Sequence, residues 1–376
     1  MNIGIVTMHR VQNYGSALQA YALVAYLQKL GHHVETIDYV FPNLYHLKKA
    51  IPSLKGRIKL RARKILRSLL VEPFLQRNQK FVVFRKTHLS LSKQVYKSKE
   101  FLKACPPCFD LYITGSDQVW NESKIFDDNT FFCDFALKNK KVISFGASIT
   151  TNKLTNSYAE RLKKQLAKYS AIGVREKSSL PLLQKLGLPG NIQVLNTCDP
   201  TLLLDSKDYD KLASESKIKI DYDYILVHQL EYNFSAEPAI SDVINSAKKH
   251  YDCGIILIDH MFKKMTDGDH KVCNLGPNEF VWLFKHAKAV VTSSFHGTMF
   301  AVIYRKPFVS VAPPKSHLDS RIADTLVGMG LTNHLVYNNG EKSQININWD
   351  TDYTASQEKQ IKAYIEKSKE FLKENL

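Results

Sequence analysis

Short apolar runs alternate with helix-forming segments along most of this chain of 376 residues. The first unit is the clearest, because residues 3–7 predict a strand, residues 17–30 a helix that Gly31 ends, and residues 34–39 a second strand. A β-α-β unit of this kind predicts a parallel sheet, with ligands bound beyond the carboxyl ends of its strands. The repetition of such units predicts an α/β protein.

The alternation falls into two series that are separated by a charged segment. Residues 207–223 lack strong apolar periodicity and are predicted to form a linker. We expect residues 1–206 and 222–352 to form two Rossmann-like domains, which suits a usual domain length of about 150 residues. Residues 353–376 predict a closing amphipathic helix that packs back on the first domain. The predicted fold is therefore GT-B-like, with the active cleft between the two domains.

The positive charge of the chain is concentrated in one segment. Residues 46–103 contain 17 Lys and Arg against two acidic residues, so they carry +15 of the formal net charge of +16. Nucleic acid, an anionic membrane surface and an anionic ligand could each explain such a segment. Apolar residues at helical spacing between positions 58 and 69 predict a basic amphipathic helix, which would lie on a membrane or present a solvated face. No nucleic-acid-binding module is recognisable, so nucleic acid is not an expected partner.

Signals for membrane insertion, secretion and metal binding are missing from the sequence. No apolar run approaches the roughly 20 residues that cross a bilayer, and residues 1–6 lack the features of a signal peptide. Cys105 and Cys108 have the spacing of a metal or redox motif, but no second ligand pair stands nearby. We therefore expect a cytoplasmic protein with no metal and no cofactor.

The candidates for an anion site follow strands of the two series. His296 comes directly after a buried strand and before a helix that opens at Gly297, where free N–H groups favour a phosphate or carboxylate. The histidine could bind an anion or transfer a proton, or a core carbonyl could satisfy it. Arg175 ends an apolar strand, where its guanidinium would bind an anion or form a structural pair with Glu176. Arg321 is a weaker candidate of the same kind.

Two strand-end loops of the first series carry groups that sugar sites use. They contain Asn13, Tyr14, Gly15, Asp117, Gln118 and Trp120. Amides and carboxylates hydrogen-bond to sugar hydroxyls, and aromatic rings stack on the C–H face of a sugar. Asp117 could act as a base toward a hydroxyl or cap a helix, whereas Trp120 is either a sugar platform or a core residue.

Six short motifs follow one another along the chain in a specific order. The first runs from Gly4-Ile5-Val6-Thr7 through Asn13-Tyr14-Gly15-Ser16-Ala17-Leu18-Gln19-Ala20-Tyr21, and the others are Tyr112-Ile113-Thr114-Gly115-Ser116-Asp117-Gln118-Val119-Trp120-Asn121, Ser144-Phe145-Gly146-Ala147-Ser148, Val174-Arg175-Glu176, Asp199-Pro200-Thr201-Leu202-Leu203 and Ser293-Ser294-Phe295-His296-Gly297. Each motif is weak alone, but all of them in this order resemble the polysaccharide pyruvyl transferase family over most of the chain.

The resemblance implies transfer of a pyruvyl group from phosphoenolpyruvate, the co-substrate, onto a sugar of a bacterial surface polysaccharide or its lipid-linked precursor. The product would be a cyclic ketal. It also implies a GT-B-like fold and a donor site that uses Arg175 and His296. From the residues themselves, we expect Gly297 and Arg321 beside them. Many family members carry an arginine two residues before the histidine, where this chain has Ser294. Arg321 is the expected replacement for that charge, and His296 and Asp117 are the expected acid and base.

The acceptor and the rival functions complete the expectations. Asn13, Tyr14, Gly15, Gln118 and Trp120 are expected on the acceptor side. A lipid-linked acceptor would place the enzyme at the inner face of the cytoplasmic membrane, where residues 46–103 would bind an anionic surface. The main alternative is a GT-B glycosyltransferase that uses a nucleotide sugar, because it would share the fold. A non-catalytic glycan or anion binder is a third possibility.

Overall fold

The computed structural model describes residues 1–41, 72–151, 153–230, 234–258, 270–317, 321–340, 347, 349 and 352–376. Within these ranges, two parallel β-sheets follow one another along the chain. Five of their strands are buried along their whole length, which explains why these five are near-continuous apolar runs in the sequence. The predicted α/β class is confirmed.

The first sheet contains seven strands among the described residues. They are β1 (Asn2–Val6), β2 (His33–Tyr39), β3 (Leu91–Tyr96), β4 (Leu111–Thr114), β5 (Lys141–Ala147), β6 (Ala171–Val174) and β7 (Gln193–Asn196). Their order is β3-β2-β1-β4-β5-β6-β7, and all adjacent strands are parallel. The chain order reverses between β1 and β4, which places a crevice beyond the carboxyl ends of these two strands. Residues 1–203, which build this sheet and its helices, are the N-terminal half.

The second sheet contains six strands among the described residues. They are β8 (Tyr224–His228), β9 (Gly254–Ile258), β10 (His270–Val272), β11 (Ala289–Thr292), β12 (Phe308–Ala312) and β13 (Leu335–Tyr337). Their order is β10-β9-β8-β11-β12-β13, again with parallel neighbours. The order reverses between β8 and β11, so this sheet has its own crevice. Residues 224–340 are the C-terminal half.

Helices connect the strands and cover the sheets. In the N-terminal half they are α1 (Tyr14–Lys29), α2 (Glu72–His88), α3 (Lys99–Ala104), α4 (Glu122–Ile125), α5 (Asn156–Leu166) and α6 (Leu180–Lys185). The later ones are α7 (Ser206–Ser214), α8 (Ala239–Tyr251), α9 (Pro277–His286), α10 (Phe295–Ile303), α11 (Arg321–Gly328) and α12 (Ala355–Glu374). Short 3-10 turns lie at Thr130–Phe132, Lys177–Ser179, Pro200–Leu203 and Thr332–His334.

The segment predicted to be a linker begins with a helix. Helix α7 starts at a capping box formed by Asp205 and Asp208, and it packs against α9 of the C-terminal half. Its Tyr209 and Leu212 are buried in the core. The prediction of a linker over residues 207–223 is therefore wrong for residues 207–214, where three buried side chains at helical spacing were too few to be recognised.

The C-terminal helix contacts both halves. Near its start, the Glu358 carboxylate accepts hydrogen bonds from Arg305, which follows α10. Near its end, the Ser368 hydroxyl accepts a hydrogen bond of 2.8 Å from the backbone N–H of Cys198. Phe371 packs beside Gly173 of β6. Helix α12 thus links the two halves through these contacts.

The basic segment is described only from residue 72 onward. Residues 46–71 lie outside the described residues, and so does the amphipathic helix predicted between positions 58 and 69. Residues 72–103 form α2, β3 and α3. None of the described helices is both long and apolar enough to span a membrane.

Several cations of the described part of this segment bind within the fold. The Lys80 ammonium lies 2.7 Å from the Glu279 carboxylate of α9, which joins the two halves. The Arg77 guanidinium is buried over the ring of Tyr14, 5.0 Å from its centroid. Lys80 therefore stabilises the contact between the halves, whereas Arg77 packs within the N-terminal half, and the positive segment is not one uniform solvated surface.

Candidate functional site

A cavity of about 210 Å³ lies where the crevices of the two sheets face each other. The loops after β1 and β4 line it from the N-terminal half, and the loops after β8 and β11 line it from the C-terminal half. Five of the predicted site residues lie on its wall: Asn13, Asp117, Gln118, His296 and Arg321. Most of the predicted polar groups thus lie in one cleft, as expected for residues that follow the carboxyl ends of parallel strands.

His296 is held at the start of α10, which begins in the cleft. Ser294 is the N-cap of this helix, and its hydroxyl accepts a hydrogen bond of 3.3 Å from the Gly297 N–H. The Ser294 N–H in turn donates to the hydroxyl of Thr292, at 3.0 Å. Ser294, Phe295 and His296 line the cavity, so the first turn of the helix presents its partial positive charge there.

The His296 ring is in contact with two residues of the N-terminal half. Its Nε2 atom lies 3.4 Å from Oδ2 of Asp199, an ion-pair distance. A β-carbon built on Gly15 would lie only 1.8 Å from Nδ1 of the same ring. The predicted contact of Gly15 with the sugar acceptor is therefore corrected. Its backbone packs against the imidazole of His296, and a larger residue would not fit there.

Asp199 is the centre of a buried hydrogen-bond network. Its Oδ2 atom accepts bonds from Arg175 Nη1 at 2.9 Å and from the Ser116 hydroxyl at 3.1 Å. Its Oδ1 atom accepts bonds from the Thr201 N–H at 3.0 Å and the Thr201 hydroxyl at 2.8 Å. Burial alone would raise the pKa of this carboxyl, but His296, Arg175 and the Thr201 amide outweigh it and hold the pKa well below its usual range. Asp199 is therefore an ionised, oriented carboxylate.

Arg175 lies behind the cavity wall and does not reach the cavity. Its side chain is 1% exposed, its Nε donates to Glu176 at 3.2 Å, and its Nη1 donates to Asp199. Burial lowers the pKa of the guanidinium, but Glu176 and Asp199 outweigh this effect and raise it overall. The ring of Phe295, which does line the cavity, lies 4.4 Å from the guanidinium carbon. The prediction that Arg175 binds the donor substrate directly is therefore corrected. Its guanidinium instead forms the structural pair that was the alternative, because the carboxylates of Glu176 and Asp199 already bind it.

Asp117 faces the cavity in an unusual backbone conformation. Its φ of +80° lies in the left-handed region, which is rare for a residue other than glycine and is concentrated at functional sites. Its Oδ1 accepts a bond of 2.8 Å from the Gln118 N–H, and its Oδ2 accepts a short bond from the Ser16 hydroxyl. The carboxylate is thus oriented toward the cavity rather than used as a helix cap.

Among the described residues, two cations line the cavity, one from each half. Arg321 begins α11, and Lys124 lies in the short helix α4. Burial lowers the pKa of Lys124, and the nearby charge of Arg321 lowers it further. Lys124 is a residue that the sequence reasoning missed, since a lysine in a short loop helix has no pattern that distinguishes it from a surface charge.

Three other predicted residues do not reach the cavity. Trp120 is fully buried, its ring stacks on Phe132, and its Nε1 donates to the Phe131 carbonyl at 3.2 Å, so it cannot stack on a sugar. Tyr14 is buried between the halves and stacks on Phe280 with centroids 4.6 Å apart; burial raises its pKa to about 12. Gly297 uses its N–H in the cap of α10. Their predicted acceptor and donor contacts are corrected, because apolar packing and capping already satisfy these groups.

Comparison with solved structures identifies the fold. The UDP-GlcNAc 2-epimerase from Methanocaldococcus jannaschii has a TM-score of 0.51 and 11% identity, and the match covers 97% of this chain and 93% of that chain. A protein described as a UDP-N-acetylglucosamine 2-epimerase from Listeria monocytogenes has a TM-score of 0.50 and 10% identity, with 99% and 88% coverage. These likenesses show the fold alone, and they confirm the predicted GT-B-like class.

Comparison by sequence identifies the family. The curated proteins contain no significant match. The family model of the polysaccharide pyruvyl transferases matches residues 13–315, most of the chain. That range begins at Asn13 and includes the loops after β4, β8 and β11, which line the cavity. The chain therefore belongs to the polysaccharide pyruvyl transferase family.

Proposed function

We propose that this protein transfers the pyruvyl group of phosphoenolpyruvate onto two hydroxyls of a sugar and forms a cyclic ketal. The observation that carries the proposal is the cavity between the halves, where His296, Arg321 and Lys124 face Asp117. Three groups that suit an anion and one carboxylate that suits a hydroxyl are thus close together. The family membership supports a transferase that acts on a polysaccharide.

The donor would bind on the side of the cations. Phosphoenolpyruvate carries a phosphate and a carboxylate, and Arg321 and Lys124 would hold these groups together with the first amides of α10. Arg321 and Lys124 would supply the charge that many family members place two residues before the histidine, where this chain has Ser294. Arg321 therefore keeps its predicted donor role, and Lys124 joins it.

The reaction would proceed by protonation and addition. His296 would deliver a proton to the methylene carbon of the donor, and the neighbouring carbon would become an oxocarbenium-like centre. One sugar hydroxyl would attack that centre and lose its proton to Asp117. A second hydroxyl would then displace phosphate, whose release takes up the remaining proton. The His296 proton thus ends on the new methyl group and the second hydroxyl proton on phosphate, and transfer of the first hydroxyl proton from Asp117 back to His296 would restore both residues.

The acceptor is proposed to be a polysaccharide or its lipid-linked precursor at the inner face of the cytoplasmic membrane. Asn13 and Gln118 line the cavity beside Asp117 and would bind the hydroxyls of the acceptor sugar. The basic segment 46–103 would bind the anionic leaflet, with each Lys or Arg near the surface contributing about 1 kcal/mol. Because Arg77 and Lys80 are used within the fold, the membrane contact would depend on the other cations of the segment.

Product analysis tests this function. The protein is incubated with phosphoenolpyruvate and a panel of lipid-linked or aryl sugars, and both phosphate and the mass of the sugar are measured. Release of phosphate together with a ketal on the sugar is the expected result. Release of a nucleotide from a nucleotide sugar would instead support the glycosyltransferase alternative, and ligand binding without turnover would support a binding protein.

A further inference from the structure

The side chain of His296 crosses from the C-terminal half into a recess of the N-terminal half. Asp199 lies 3.4 Å from its Nε2, and the backbone of Gly15 lies against the opposite side of the ring. Both contacts come from the N-terminal half, although His296 belongs to helix α10 of the C-terminal half. The position of the ring is thus determined by the other half of the molecule.

The Asp199 carboxylate is fixed in a position from which it can orient the His296 ring. It has no exposed side-chain surface, and four hydrogen-bond donors fix the directions of its two oxygens. A carboxylate with this many donors remains ionised and cannot rotate freely. Arg175 is one of the donors, so its buried charge is used to orient Asp199.

We propose that Asp199 is the positioning residue for His296, so that a carboxylate of the N-terminal half completes the catalytic group of the C-terminal half. A carboxylate at one ring nitrogen selects the tautomer and orientation of an imidazole, as in other acid–base sites. The inference rests on the proposed function, in which His296 supplies the proton. It also explains how Arg175, which lies behind the cavity wall, affects the reaction: it acts through Asp199.

A double-mutant cycle in the full chain separates positioning from simple stabilisation. The variants Asp199→Asn, His296→Gln and their combination are compared by phosphate release from phosphoenolpyruvate. Asp199→Asn is expected to lower kcat about 10- to 100-fold with little change in KM, and to have no further effect in the His296→Gln background. Equal losses in both backgrounds would overturn the proposal, because they would show that Asp199 acts without His296.

Asp199 is the N-cap of the 3-10 turn Pro200–Leu203, where it accepts the bond from the Thr201 N–H, and a second capping aspartate provides a matched control. Asp205 is exposed, and its carboxylate accepts a bond of 3.0 Å from the Asp208 N–H at the start of α7, away from the cavity. Asp205→Asn removes a capping charge as Asp199→Asn does, but it is expected to leave kcat unchanged. A loss of kcat in this control equal to that of Asp199→Asn would also overturn the proposal.

A spectroscopic measurement keeps this inference separate from the proposed function. The ring-nitrogen signals of His296 are recorded by NMR in the wild-type protein and in Asp199→Asn, without any substrate. A changed tautomer or chemical shift is expected, and unchanged signals would refute the positioning role. If the signals change but no sugar accepts a pyruvyl group, the proposed function fails and the contact stands.

A milder variant covers the case in which Asp199→Asn does not fold. Removing one partner of a buried charge pair can destabilise a protein strongly. Thr201→Val keeps the Asp199 carboxylate and its bond to Arg175, but it removes the hydroxyl that lies 2.8 Å from Oδ1. A smaller loss of kcat that again disappears in the His296→Gln background is expected, and full activity with unchanged His296 signals would refute the role of this network.

Discussion

Replacing Gly15 with alanine would displace the His296 ring while leaving its chemistry intact. The added β-carbon would lie 1.8 Å from Nδ1 and 2.2 Å from Cγ, whereas ordinary contact begins near 3.4 Å. The ring would therefore retreat by roughly 1.6 Å. A displacement of about 1 Å can reduce a rate about 100-fold, so kcat/KM should fall at least about 100-fold, or about 2.7 kcal/mol of transition-state stabilisation.

The effect of the same change on stability should be small. Gly15 is the second residue of α1, and alanine stabilises a helix by about 0.5–1 kcal/mol relative to glycine. Overpacking opposes this gain by about 1–3 kcal/mol. The net loss of unfolding free energy should therefore be about 2.5 kcal/mol or less, and the variant should remain folded at room temperature.

The assay is phosphate release from phosphoenolpyruvate with an accepted sugar, together with thermal unfolding followed by circular dichroism. Gly190→Ala is the matched control, because no atom lies within 4 Å of its added β-carbon and its φ is not positive. It should keep both its activity and its melting temperature. Wild-type kcat/KM in folded Gly15→Ala would refute the reasoning, since a catalytic His296 could not then depend on this contact.

Four further predictions follow from the same structure. His296→Gln should lower kcat about 100- to 10,000-fold, whereas Arg321→Ala should mainly raise the KM for phosphoenolpyruvate. Steady-state kinetics test both roles, and a raised KM in His296→Gln with a lowered kcat in Arg321→Ala would contradict them. Trp120→Ala should lower the unfolding free energy by about 3–5 kcal/mol, and an increase in acceptor KM without destabilisation would favour a sugar platform instead. Burial would raise the pKa of Asp38, but hydrogen bonds with His9 and Arg10 outweigh this effect and lower the pKa overall. The Asp38 carboxylate therefore stabilises the fold above about pH 4, and this stabilisation is lost as the pH falls. Asp38→Asn should therefore destabilise by about 1–3 kcal/mol near neutral pH and by less near pH 3, and a constant difference in urea unfolding would contradict this. The protein should sediment with anionic but not neutral liposomes, less so at high salt, and substitution of the Lys and Arg in residues 46–71 should abolish the difference; equal binding to both kinds of vesicle would exclude the membrane role.

Much of the fold could be predicted because parallel sheets have a local signature. Strands that are buried on both faces must be apolar throughout, and the loops at their carboxyl ends collect the polar residues that serve a site. That principle places Asn13, Asp117, Gln118, His296 and Arg321 in one cavity. Where the local signal was weak, as in α7, the prediction failed because tertiary packing stabilises a helix that its own periodicity hardly marks.

The errors in the predicted site have a common physical origin. An arginine at the end of a strand, such as Arg175, or a tryptophan in a loop, such as Trp120, can be stable in two orientations. In one the side chain faces a ligand, and in the other it contacts a partner inside the protein. The residues that decide between them are distant in sequence or belong to another element: Asp199, three residues after β7, accepts a hydrogen bond from the guanidinium, and Phe132 stacks on the indole. Local patterns contain no information on such partners.

The amino-acid sequence by itself determined the α/β class, the family and the residue types available to the cleft, because periodicity and strand-end motifs are properties of short segments. Only the tertiary structure decided which of those residues meet. The contact of His296 with Gly15 and Asp199 joins positions that are about 100 to 280 residues apart. It depends on how the two halves pack through α2, α7, α9 and α12, and that packing is a property of the assembled surfaces rather than of any one segment.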